Sequence, residues 1–242
     1  MKSAKAAMTA KYVVAELKAL GKESYKMTML NHGAKEPIFG VSVADMKKIQ
    51  KRIKMDYQLA LDLYDTGISD AMYFAGLIAD DAKMTKKDLQ RWVEKAYFPM
   101  ISEYTVAWVA AGSNHGREVA LEWIDSTKEH IASSGWATLS SLVAIREDKD
   151  LDVAELEKLL ERVQKTIHQQ PNRVRYAMNG FVIAVGSYVK ALTAAAISAA
   201  EKMGPVSVEM GGTACKVPFA PDYIEKVKQR GSLGKKRKTA KC

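Results

Sequence analysis

Apolar residues recur three and four positions apart along most of the chain, and several of these stripes begin at a residue able to cap a helix. Ser42-Val-Ala-Asp45 leads into a segment with Val43, Met46, Ile49 and Ile53 on one face and Lys47, Lys48, Lys51, Arg52 and Lys54 on the other. That pattern predicts an amphipathic helix with a basic outer face. Thr85-Lys-Lys-Asp88 opens a second helix, with Leu89, Trp92, Val93 and Ala96 on its stripe, and Asp152-Val-Ala-Glu155 a third, with Leu156, Leu159, Leu160, Val163 and Ile167. Shorter helical patterns occupy 57–65, 69–80, 102–111, 114–127 and 135–146, joined by brief connections such as "DTGIS" and "AAGSN". Connections this short make neighbouring helices antiparallel.

Helix pairs recur at roughly 40 residues, the length of a HEAT or armadillo unit. The expected fold is all-α: an α-α superhelix of HEAT/armadillo-like repeats forming one domain over residues 1–230, with a compact helical bundle as the alternative. Residues 206–217, "VSVEMGGTACKV", depart from the helical period. Two five-residue runs around Gly211-Gly212 predict a small β-hairpin. Its face of Val206, Val208, Met210, Thr213, Cys215 and Val217 would pack on the helices, leaving Cys215 a buried small hydrophobe. After Pro221 comes a short helix, and residues 231–242 read as a flexible basic tail.

With 242 residues, 48% of them hydrophobic, the chain can bury a sizeable core. No apolar run is long enough to span a membrane, and "MKSAKAAMTAKYVV" lacks the features of a secretory leader, so a cytoplasmic location is expected. Cys215 and Cys242, with four scattered histidines, offer neither a disulfide framework nor metal-ligand spacing. No metal or cofactor is expected, and no nucleophile elbow, P-loop or dinucleotide fingerprint is present. The formal net charge is +9, but residues 221–242 hold eight Lys or Arg against Asp222 and Glu225 and so carry +6 of it. A nucleic-acid surface on the body must therefore be argued from individual residues.

Residues 39–72 carry a resemblance. An aromatic-Gly-Val lead-in, a capped helix containing Asp45 and basic residues, then Ala60-Leu-Asp-Leu-Tyr64-Asp-Thr-Gly-Ile and Asp70 resemble the DNA alkylation repair family of HEAT-like repeat proteins. The blocks "RVRYAMNGFVIAVGSY", "GGTACKVPFAPDYI" and "GKKRKTAKC" look like a distinct subgroup. The resemblance implies duplex DNA, alkylated or not, as partner, and for some members excision of purines alkylated at N3 or N7. It implies that this occurs on the concave face, where an Asp stands beside the deoxyribose, flanked by tryptophans and an arginine in a Trp-Trp-Asp-x-Val-Asp helix. Here the matching helix is "ISEYTVAWVAAG". Ala107 falls at the catalytic Asp, Tyr104 stands near the tryptophans, Trp108 is displaced by one, and Thr138 falls at the arginine.

Glu103, the one carboxylate of that helix, is a candidate replacement acid, against the plainer reading of a solvated surface glutamate. Tyr104, Trp108 and Trp136 are candidates for base or sugar contacts, against the reading that large aromatics at helical spacing are core. In "PNRVRYAMNGFVIAVGSY", a helical wheel puts Val174, Ala177, Met178, Phe181 and Val185 on the core face and Asn172, Arg175, Tyr176 and Asn179 opposite. With Pro171 at the helix start, Arg173, Arg175, Tyr176 and Asn179 form a candidate phosphate-holding surface. The competing reading pairs the arginines with carboxylates of a neighbouring helix. Lys47, Lys51, Lys235, Lys236, Arg237 and Lys238 are further candidate phosphate contacts, against simple solvation. The expectation is a monomeric DNA-binding protein related to alkylation repair. The alternative is a non-catalytic solenoid with a protein partner on its concave face.

Overall fold

The computed structural model describes residues 8–213 and 215–242; residues 1–7, part of the stretch read for a leader, and Ala214, in the expected hairpin, lie outside it. The described residues hold α1 (Ala10–Leu20), α2 (Glu23–Asn31), α3 (Val43–Ile53), α4 (Tyr57–Asp65), α5 (Ser69–Ile78) and α6 (Lys86–Lys95). A π-helical stretch, Met100–Val106, runs directly into α7 (Ala107–Gly112). There follow α8 (Gly116–Trp123), α9 (Glu129–Ile145), α10 (Val153–Thr166), α11 (Asn172–Tyr188), α12 (Thr193–Met203) and α13 (Ala220–Gln229). The three helix starts read from the sequence are capped as their chemistry requires. Ser42 Oγ accepts from Asp45 N at 3.1 Å, Thr85 and Asp88 form a reciprocal capping box, and Asp152 accepts from Glu155 N at 3.0 Å.

The helices form two layers. The helices α5, π/α7, α9 and α11 pack side by side in one layer, backed by α4, α6, α8, α10 and α12. This is the HEAT-like arrangement, in which each pair buries its stripe against its neighbours. Two apolar clusters fill the interior. In the first, Tyr64 stacks on Trp92 with ring centroids 4.0 Å apart, and its hydroxyl donates to Trp92 O at 2.7 Å. In the second, Trp136, 1% exposed, packs against Phe181 at 5.2 Å. Trp136 is therefore packed within the core.

The block that carries the family resemblance is a structural joint. Asp70, buried at the start of α5, accepts backbone N–H groups from Phe39 at 2.6 Å, Gly40 at 3.4 Å and Val41 at 2.7 Å. Gly40 sits at φ +78°, where a Cβ would lie 2.4 Å from Lys26 N. A single carboxylate thus satisfies three donors of an irregular segment that has no ladder of its own.

Two expectations about the C-terminal region are corrected. Residues 206–213 and 215–217 form no strand. The turn at Gly211-Gly212 is present, but the arms do not pair, because side chains of α11 satisfy the backbone. Asn172 Nδ2 donates to Glu209 O at 2.9 Å, Asn172 Oδ1 accepts from Glu209 N at 2.7 Å, and Asn179 Nδ2 donates to Pro218 O at 2.9 Å. A lone hairpin is marginal, so amides offered by a packed helix prevail. Cys215 is accordingly exposed, not buried.

The basic tail is the second correction: it lies as a strap across helix C-termini. Gly234 N donates to Ser187 O in α11, Arg237 N to Ala144 O and Lys236 Nζ to Val143 O in α9, and Lys241 Nζ to Ala79 O after α5. Lys236 also pairs with Asp148 at 2.7 Å and Lys241 with Asp81 at 2.7 Å. Cations suit helix C-termini, where carbonyls point outward and the dipole is negative.

Burial pushes the Asp81 carboxyl up to about 6, against the pull of Lys241. Asp81 is then more easily protonated in the fold than in the unfolded chain, so it costs stability as pH rises from about 4 to about 6, and fully above that. Lys241→Met should therefore destabilise by about 1–2 kcal/mol at pH 8 and by less at pH 5, in urea titrations at both values.

Candidate nucleic-acid interface

The first turns of α11 meet the π-helical stretch across the inner layer. Arg173 Nε donates to Glu103 Oε1 at 2.8 Å and its Nη2 to Glu103 Oε2, a two-pronged ion pair with both side chains mostly buried. The guanidinium also lies over the Tyr176 ring, 4.4 Å from its centroid. Glu103 is 7% exposed. It is neither the solvated glutamate of the plainer reading nor a free acid. Burial raises its pKa, and Arg173 and Ser133 pull it back down. The helix that carries the catalytic Asp in the resembling glycosylases here has Ala107, fully buried, and presents a carboxylate already committed to an arginine.

The two arginines of α11 behave differently. Arg173 pairs with a neighbouring helix, as one reading required, and its backbone N–H is taken by Glu129 Oε1 at 2.7 Å. That contact closes part of the helix N-terminus to an outside anion. Arg175 has no carboxylate partner among the described residues. Its Nη2 reaches only Asn172 Oδ1 at 3.4 Å, and its Nε is out of contact with solvent and unpartnered. With Asn172 and residues 207–211, the exposed Glu209 among them, it lines an open depression of about 630 Å³.

On the other side of residues 209–211 lies a larger cavity of about 750 Å³. Its walls come from α2 and α3 (Tyr25, Met46), α5 (Tyr73), the π/α7 helix (Tyr104, Trp108) and α11 (Arg173, Tyr176), and Met210 and Cys242 lie at its edge. Trp108 makes edge-to-face contacts with Tyr73 at 5.8 Å and with Tyr104 at 5.7 Å. Tyr104 remains 42% exposed, and burial pushes its pKa up to about 12, so its hydroxyl is protonated at neutral pH.

Of the residues expected at the interface, Tyr104, Trp108, Arg173 and Tyr176 meet in this cavity, and Arg175 lines the adjacent depression. Asn179 does not belong with them: it is 2% exposed and holds Pro218 O. The wheel placed it opposite the core but could not foresee the chain returning over that face. Lys47 and Lys51 are exposed on α3 and line neither cavity, and in the tail Lys235, Arg237 and Lys238 are exposed while Lys236 is tied to α9. Tyr73 and Tyr25 were missed. Every residue of α5 is buried, which erases any stripe, and α2 has no apolar face to announce it.

A family model described as DNA alkylation repair enzyme matches residues 13–213. Uncharacterized protein Lin0241 of Listeria innocua serovar 6a is 33% identical over 221 residues, covering 89% of this chain and 95% of that one. Uncharacterized protein Lmo0209 of Listeria monocytogenes serovar 1/2a matches with the same identity and coverage. A solved structure from a new family of proteins related to the HEAT-like repeat DNA glycosylases with affinity for branched DNA structures superposes with a TM-score of 0.90. It shares 41% identity and covers 97% of this chain and 100% of that one. The family match over residues 13–213 and the structural likeness agree: the chain belongs to the DNA alkylation repair family, in its HEAT-like repeat form.

Proposed function

We propose that this protein binds branched DNA along its inner helix layer and does not excise alkylated bases. The observation that carries the reading is the division of charge at the site. Glu103, the one carboxylate of the helix aligned with the family's catalytic helix, is neutralised by Arg173, whereas Arg175 has no carboxylate partner among the described residues. A free guanidinium beside a helix start holds phosphate, and a locked carboxylate cannot stabilise charge developing on a sugar. The affinity of the structurally similar protein for branched DNA supports junctions over plain duplex as the substrate.

Fluorescence anisotropy with a labelled three-way junction and a matched duplex, across salt concentrations, tests this. The junction should bind more tightly, and Arg175→Ala should weaken binding and flatten the log–log salt slope by about 1. Equal affinity for the two DNAs, or an unchanged slope, would count against it. Incubation with methylated duplex should release no alkylpurine above the uncatalysed rate; release above it would restore excision. A protein partner on the same layer is the competing reading, favoured if no DNA binds at low salt.

A further inference from the structure

We infer that the aromatic cavity receives one unpaired nucleobase from the branch point of a bound DNA. This rests on the proposed junction binding and goes further by assigning the cavity a ligand. Three observations converge on a nucleotide. The cavity's one buried cation, Arg173, is neutralised by Glu103 and stacked on Tyr176, so the space suits a neutral ring and not a phosphate. Aromatic side chains are prominent in a mixed lining that also holds Asp70 and Glu209: Tyr104, 42% exposed, is braced by Trp108, which Tyr73 braces in turn. At about 750 Å³ it has room for a purine with its sugar.

A further observation is what lies next door. The Arg175 depression and the aromatic cavity share Glu209, Met210 and Gly211 as a common wall, one chain thick. An anion site and a neutral aromatic site on either side of a single strand of backbone match the two ends of one nucleotide. A phosphate at Arg175 would send its base over residues 209–211 toward Tyr104. A base paired within a duplex arm cannot make that excursion without losing its partner. An unpaired base at a branch can, which gives a physical reason for preferring branched to continuous DNA.

The test pairs a change in the DNA with one in the protein. A three-way junction with two unpaired adenosines at its centre is compared with the same junction carrying abasic sites there, against wild type and Tyr104→Ala. Wild type should bind the abasic junction roughly 5- to 150-fold more weakly, the loss expected for one stacked base. Tyr104→Ala should lose a similar factor on the adenosine junction and nothing further on the abasic one, and Tyr104→Phe should retain wild-type binding. Tyr104 is partly exposed, and thermal melts check that the variants fold. If wild type binds both junctions equally, the cavity holds no base while junction binding stands. If the two changes add, the base lies elsewhere. If no junction is bound better than duplex, the proposed function falls as well.

Discussion

Replacing Asp70 by alanine should cost about 3–5 kcal/mol of stability, a large part of the 5–15 kcal/mol typical of a folded domain. The carboxylate is the acceptor for Phe39, Gly40 and Val41 together. Two of these donors, on Gly40 and Val41, belong to bonds out of reach of solvent, so their loss is not repaid by water. Asp70→Asn keeps one carbonyl oxygen and should cost less. Denaturant midpoints for the two variants check the order. A loss under about 1 kcal/mol for Asp70→Ala would mean the segment finds other acceptors. The residues through which this family is recognised are thus a joint between α3 and α5.

The second large effect is at Glu103 and Arg173. Glu103→Gln should destabilise by about 3–5 kcal/mol, because it leaves the mostly buried Arg173 charge without its counterion. Replacing both by methionine should cost less than either single change, since no uncompensated charge remains. The pH dependence separates the two single variants. Burial already raises the Glu103 pKa, and Arg173 opposes this. In Arg173→Met it should rise further, so the folded protein takes up a proton before the unfolded chain does. That variant should be more damaged at pH 8 and partly rescued near pH 5. Glu103→Gln has no carboxyl to protonate there and should show no such rescue. Urea titrations at the two pH values decide it, and parallel losses would mean the pair is not coupled as the geometry requires.

Where helix formation is decided locally, the sequence was readable. Ser42, Thr85 and Asp152 cap their helices, and the apolar stripes they open are buried. α1, capped by Thr9 and burying Val13 and Leu17, follows the same logic but was not among the helices read from the sequence. What could not be read depends on partners far away in the chain. Arg173 and Arg175 are indistinguishable by type and nearly so by position, yet one finds Glu103 seventy residues away and the other finds no carboxylate among the described residues. The "VSVEM" arm has strand composition, but its fate was decided by Asn172, 37 residues before Glu209. The tail's charges looked solvated because the helix ends that receive them are scattered from Ala79 to Ser187.

The strap also bears on how the protein comes apart. In an ordinary repeat array each unit touches only its neighbours, and an end can fray while the rest stays folded. Here residues 234–241 bind the ends of α11, α9 and α5 at once, helices far apart in the chain. Opening the array anywhere between α5 and α11 therefore breaks strap contacts as well as the local ones, so this part should melt as one cooperative unit, with a sharpness that nearest-neighbour stacking alone would not give.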